Sequence, residues 1–218
     1  MILYHGSNII VNKPLFGYGK PYNDYGQGFY CTENIALAKE WACNDPNGGF
    51  VNIYNLDTAN LNTLKLNEKK ILEWLAILIK NRQIRYSSPI EKQIAEYVIA
   101  NFYSDYSSYD IITGYRADDS YFSFVRAFLS NTISLEQLGE AMKLGNLGMQ
   151  VFIQSQKAFD NLSFVDSETV SGDYYAKREE RSAKARKDYY RLLEKNVTSG
   201  TFARDILKGG FNIDGTSI

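Results

Sequence analysis

Strand-like and helical patterns are segregated along this 218-residue chain, and the segregation narrows the fold before any single residue is considered. Short alternating runs fall within residues 1–55 and 110–165: Ile2 to His5, Phe29 to Cys31, Phe50 to Tyr54, Tyr109 to Gly114, Met149 to Gln154 and Leu162 to Val165. Between them, over about 67–108, the apolar period lengthens to that of a helix. Ile71, Leu75, Leu78 and Ile79 share one helical face, and Ile94, Tyr97, Val98 and Phe102 line a second helix. Ser88-Pro89-Ile90-Glu91 opens that second helix as a capping box with proline at its first position. Strands at both ends of a chain with a helical insertion between them fit a single α+β domain, residues 1–218, with a mixed or antiparallel sheet. Further helices are predicted after Thr32 or Asn34 (apolar face Ile35, Ala38, Trp41, Ala42), over about 120–129, from Ser134 to Gly145, after Ser155 and near Phe202 to Leu207. One long helix from about Asp173 to Lys195 dominates a C-terminal extension of about 172–218.

The bulk numbers describe an ordinary soluble globular chain, with 44% hydrophobic and 22% charged residues and a net charge of −1. That charge gives no global drive towards nucleic acid, although a local groove would suffice. Seventeen tyrosines suit ligand pockets and interfaces, and equally a tyrosine-rich core rim. Cys31 and Cys43 make no disulfide framework, and one histidine leaves no metal-ligand spacing, so no metal is expected. No apolar run reaches the ~20 residues a membrane span needs, and the opening Met1-Ile2-Leu3-Tyr4 does not show the basic n-region and apolar h-region of a signal peptide. A cytoplasmic protein without a membrane partner is the expectation. In the long helix, cations from Lys177 to Arg191 outnumber acids; a solvated helix with i,i+4 pairs is favoured over a face for nucleic acid or a partner.

Two glycine-containing stretches concentrate the chemistry. Tyr4-His5-Gly6-Ser7 carries the only histidine, which by itself reads more readily as a core residue than as a functional one. Asp24-Tyr25-Gly26-Gln27-Gly28-Phe29-Tyr30 sets two glycines around a polar residue just before a strand, where backbone can approach a ligand closely. Neither this stretch nor Gly17-Tyr18-Gly19 completes the G-x-G-x-x-G spacing of a doubly wound dinucleotide fold. The loop between the stretches, residues 11–27, is long enough to be functional or mobile.

Taken in order, these two motifs and Gly148-Met149-Gln150-Val151-Phe152-Ile153 resemble the three signatures of the diphtheria-toxin-like ADP-ribosyltransferases, the group that includes the poly(ADP-ribose) polymerases. Taken whole, the chain is similar to a bacterial family of unknown function assigned to that superfamily, whose members often sit beside a small partner gene as toxin–antitoxin pairs do. The resemblance implies a split sheet with NAD as substrate. It implies a mono-ADP-ribosyltransferase acting on a protein or nucleic acid and restrained by a small antitoxin protein. On the same basis His5 holds a ribose hydroxyl, the Gly6 backbone meets the nicotinamide carboxamide with Ser7 as a second contact, and Gly28 belongs to the same pocket. Tyr30 stacks on the nicotinamide ring, and Trp41 is either the second aromatic wall or a core residue of its helix.

Gln150 occupies the place of the catalytic glutamate. An amide keeps a hydrogen bond to the ribose but supplies no formal charge to the oxocarbenium-like transition state. Losing one such contact costs ~10²–10³ in rate. A slower transferase, an acid supplied from elsewhere, an inactive NAD or ADP-ribose binder, and an NAD glycohydrolase all stay open, while chain-elongating activity is disfavoured. Asp118 and Asp119 are candidates for the additional acid, though a helix cap explains such a pair as well; Glu33 is a weaker one. Arg116 beside them suits bidentate contact with a pyrophosphate.

Overall fold

The computed structural model describes residues 1–44, 46–117, 119–144, 149–195 and 200–217, the side chains of residues 68, 119, 120 and 195 lying outside that description. Among the described residues seven strands form one mixed sheet. They are β1 (Ile2–Ser7), β2 (Phe29–Thr32), β3 (Gly49–Leu56), β4 (Thr63–Leu66), β5 (Ile111–Tyr115), β6 (Met149–Ile153) and β7 (Leu162–Val170), in the order β4-β5-β6-β2-β1-β3-β7. Only β4 and β5 run parallel; every other neighbouring pair is antiparallel. The architecture is therefore α+β with a mixed sheet.

Helix α1 (Ile35–Ala42) is capped by the Asn34 side chain, which accepts from the Ala36 and Leu37 amides. It follows β2 directly and packs over β1. Helices α2 (Ile71–Asn81) and α3 (Pro89–Phe102) form the insertion. Every residue from Ile71 to Ile79 is buried, so α2 is a core helix on all sides rather than an amphipathic one. With α4 (Asp119–Leu129) and α5 (Leu135–Lys143) these helices enclose the main core around Trp74, Leu75, Ile94, Phe124 and Phe128. A smaller core on the sheet gathers Leu3, Phe29, Tyr54 and Ile153 with Phe159 of α6 (Gln156–Asp160).

Four local readings change. Strand β4 is absent from the sequence pattern because its four residues gain their partner only from β5, 48 positions on in the register. Strand β7 runs to Val170, its polar end carried by β3 pairing along the edge of the sheet. Ile35 is exposed, and α1 buries Leu37, Ala38 and Ala42 instead. The long helix α7 (Asp173–Lys195) is not simply solvated: Ala185 is buried, and Tyr189, Leu192 and Leu193 pack on the main core, Tyr189 stacking on Phe124 at 4.2 Å. Helix α8 (Ala203–Ile206) closes the same core. Among the described residues no helix is long and apolar enough to cross a membrane.

The sheet has a weak seam at its centre. Strand β1 pairs with β3 over six registered positions and β2 with β6 over four, but β1 meets β2 only at Tyr4↔Thr32. Beyond that pair a cleft begins.

Candidate functional site

Where β1 and β2 stop pairing, a side chain replaces the ladder. His5 Nδ1 lies 2.7 Å from the Tyr30 carbonyl, which can only accept, so Nδ1 carries the proton and donates. Burial holds the imidazole below its ordinary range, opposed in part by this hydrogen bond, so the ring is neutral near pH 7. Its Nε2 is then a lone-pair acceptor, the role a ligand hydroxyl requires. The Phe29 ring packs at 4.5 Å and fixes the imidazole plane.

Tyr30 is fixed by its own turn. Its hydroxyl donates to the Gly26 carbonyl at 2.8 Å and accepts the Tyr25 amide at 3.0 Å, and its ring packs on Phe152 at 4.8 Å. Burial pushes the phenol well above its usual range, so it stays an O–H donor. Two glycines have a different cause from the one their motifs suggest. A Cβ on Gly6 would meet the Ala38 carbonyl at 1.9 Å, and one on Gly28 would meet the Phe152 ring at 2.4 Å. Close approach to α1 and to β6, not to a ligand, therefore demands glycine at these positions. Trp41 faces the cleft from α1, with the Arg116 guanidinium 5.1 Å from its ring centroid, a cation–π distance.

Gln150 lies on β6 between Thr32 of β2 and Gly114 of β5, and is 3% exposed. Its Nε2 donates to Asp24 Oδ2 at 2.8 Å and to the Tyr115 carbonyl at 3.2 Å. That same carbonyl receives the Tyr25 hydroxyl at 2.8 Å and the Trp74 indole N–H at 3.2 Å. Asp24 is buried, and among the described residues four donor contacts meet its two oxygens. Arg82 Nε and Nη2 reach Oδ1 at 2.8 and 2.5 Å, while the Ala117 amide reaches Oδ2 at 2.9 Å beside Gln150. Glutamine at this position thus sits against a carboxylate paired to an arginine.

These groups converge on one cleft of about 800 Å³, lined among others by His5, Gly6, Asp24, Gly28, Tyr30, Trp41, Arg82, Arg116 and Gln150. That volume suits a ligand of nucleotide size. The loop of residues 8–28 forms one wall. It is pinned by the buried Asn52 side chain, which accepts the Val11 amide at 2.8 Å and donates to the Ser7 hydroxyl at 2.9 Å. Helix α7 forms another wall: Arg178, Ser182 and Arg186 recur at i, i+4, i+8 and all face the cleft. Arg178 is braced by the Asn44 side chain at 3.1 Å, and Arg181 behind it pairs with Glu40 at 2.5 Å. Among the described residues six lining side chains are cationic (Lys13, Lys20, Arg82, Arg116, Arg178, Arg186) against the acids Asp24 and Glu179, in a chain of net charge −1. The described lining therefore carries an excess of positive charge.

Of the residues singled out from sequence, His5, Gly6, Gly28, Tyr30, Trp41, Arg116 and Gln150 line this cleft. Ser7 does not; its hydroxyl donates to the Ile9 carbonyl and serves the loop. Glu33 is exposed and also outside the lining. Asp118 lies outside the described residues, and Asp119 opens α4 with its side chain outside the description. Sequence reasoning missed Asp24, Arg82, Asn52 and the α7 arginines as site residues. The one available signal was an acid at the head of the Tyr-Gly-Gln-Gly stretch. Among the described residues no group of three or more His, Cys, Asp or Glu gathers as a metal site.

An α+β domain with a mixed seven-stranded sheet and a cleft with a mostly cationic described lining is the class that fold and site define. The family described as "Protein of unknown function (DUF3990)" matches residues 1–164, and the chain belongs to it. No curated protein and no solved structure matches the chain. Helix α7, with its cleft-facing arginines, lies beyond the matched residues.

Proposed function

We propose that this chain is a mono-ADP-ribosyltransferase that takes NAD as substrate and modifies a macromolecule. The observation that carries the reading is the convergence of His5, Tyr30 and Gln150, far apart in sequence, on one cleft of about 800 Å³. The single registered pair between β1 and β2 supports a split sheet of the ADP-ribosyltransferase type. The excess of cations supports a ligand with a pyrophosphate.

In the reaction the bond between the ribose C1′ and the nicotinamide nitrogen breaks, and its electron pair leaves with nicotinamide, which becomes neutral. The sugar passes through an oxocarbenium-like state, the acceptor nucleophile bonds C1′, and the acceptor's proton goes to solvent. Such a loose transition state is served by positioning and electrostatics. His5 Nε2 accepts a ribose hydroxyl, the Gly6 backbone meets the carboxamide, and Tyr30 and Trp41 flank the nicotinamide ring. Arg116, Arg178 and Arg186 face the phosphates. An amide at position 150 disfavours chain elongation, because activating an incoming hydroxyl calls for a carboxylate.

Purified protein incubated with labelled NAD should release nicotinamide and label a macromolecule in cell extract. The cellular arm is growth: the resemblance to toxin–antitoxin families implies that expression slows a bacterial host and that His5→Ala relieves it. Gln150 favours a second reading, a cleft that binds NAD without turnover, which gains if binding is measurable and release is absent. Release without a labelled macromolecule indicates water as acceptor, an NAD glycohydrolase.

A further inference from the structure

Resting on the transferase reading, we infer that Asp24 is a positioning residue: through Gln150 it turns an amide oxygen to the ribose and sets a carboxylate charge directly behind it. Gln150 Nε2 faces two acceptors, Asp24 Oδ2 at 2.8 Å and the Tyr115 carbonyl at 3.2 Å. Only an NH₂ group can face two acceptors, so one orientation of the amide is permitted, and Oε1 is the atom left for a ligand hydroxyl. Arg82 meets Asp24 at Oδ1, and the oxygen facing Gln150 also receives the Ala117 amide. An amide that donates to a carboxylate is polarised, and its carbonyl end becomes a stronger acceptor. Acceptor oxygen and negative charge, which one glutamate would combine, are here divided between two residues 126 positions apart.

The test compares nicotinamide release from NAD, as kcat and KM, by the full chain and by Asp24→Asn, Gln150→Glu and the double exchange, with thermal melts of each. Asparagine keeps a single acceptor oxygen, which the Arg82 guanidinium holds at the Oδ1 place, so Asp24→Asn sets its NH₂ against that of Gln150, which must turn and offer the ligand a donor. Its kcat should fall ~10²-fold, with KM held within about threefold, the mark of an interaction made in the transition state. The double exchange carries the same asparagine in place of Asp24, and hence the same loss of a charged partner for Arg82. Its recovery to within about tenfold of wild type therefore cannot come from refolding. Gln150→Glu alone, with the charge already in place, should gain less than about tenfold.

The inference is overturned by unchanged release in Asp24→Asn, by a double exchange no better than Asp24→Asn, or by a gain of ~10²-fold or more in Gln150→Glu. If the two variants that lack the Asp24 carboxylate do not fold, Gln150→Glu decides alone. Any of these with an active wild type sinks the role of Asp24 and leaves the transferase reading standing. Release from none of the four proteins sinks both.

Discussion

At the floor of the cleft, His5, Tyr30, Asp24 and Gln150 are buried or half-buried and bonded to backbone carbonyls, to backbone amides and to one another. At its rim, Lys13, Lys20 and Arg186 are exposed, on a glycine-punctuated loop and on the outer turns of α7. The floor is held by hydrogen bonds within the protein itself, which is what electrostatic catalysis asks of a site. The rim contributes charge at longer range and through long side chains, which suits capture of an anion more than fine positioning. Mutations should therefore split into those that damage the fold together with the site and those that touch affinity alone.

The largest effect should come from the floor. Removing Arg82 leaves the Asp24 carboxylate, 5% exposed at its side chain, buried without its cation. Arg82→Ala should cost ~3–5 kcal/mol of stability, as breaking one side of a buried pair does. Arg186→Ala should stay within about 0.5 kcal/mol. Urea unfolding of both measures the difference, and equal losses would erase the distinction between floor and rim.

That distinction was only half legible in the sequence. His5 and Tyr30 stand out because each sits in a compact local pattern of glycine, aromatic residue and strand. Helix starts were readable for the same reason: Ser88 Oγ accepts the Glu91 amide at 3.2 Å, and Ser134 and Gln137 cap each other reciprocally. Asp24 meets Arg82 and Gln150 across 58 and 126 residues, and no local pattern encodes such a link. Gly6 and Gly28 were found for a reason that the structure replaces, since helix and strand contacts demand them. Helix α7 was placed correctly as Asp173 to Lys195, but periodicity cannot say that one of its charged stripes faces a cleft rather than water.

A smaller effect should come from charge reversal at the rim. Arg186→Glu should weaken ADP-ribose about tenfold, the scale of one charged hydrogen bond to a phosphate, with the melting temperature unchanged. The wild-type affinity should fall as salt is raised, and the variant's should fall less, because exposed charges are screened. Calorimetric titration at two salt concentrations reads both. Equal affinities would move the phosphates away from α7.

The finest separation of floor from rim is by pH, because the chain has a single histidine and it lies on the floor. His5 lies below its ordinary range in the fold, chiefly through burial, while in the unfolded chain it titrates near the usual value of about 6.5. Below that pH the unfolded state binds a proton that the folded state refuses, so stability falls as pH drops through the window beneath 6.5 and is level above it. Protonation also removes the Nε2 lone pair, so NAD affinity should decline in the same direction. Urea midpoints at pH 7.5 and 5.5 should differ more for the wild type than for His5→Gln, which has no proton to gain. If the two proteins lose stability alike, the carboxylates carry the pH dependence and the seam between β1 and β2 is not closed by a neutral imidazole.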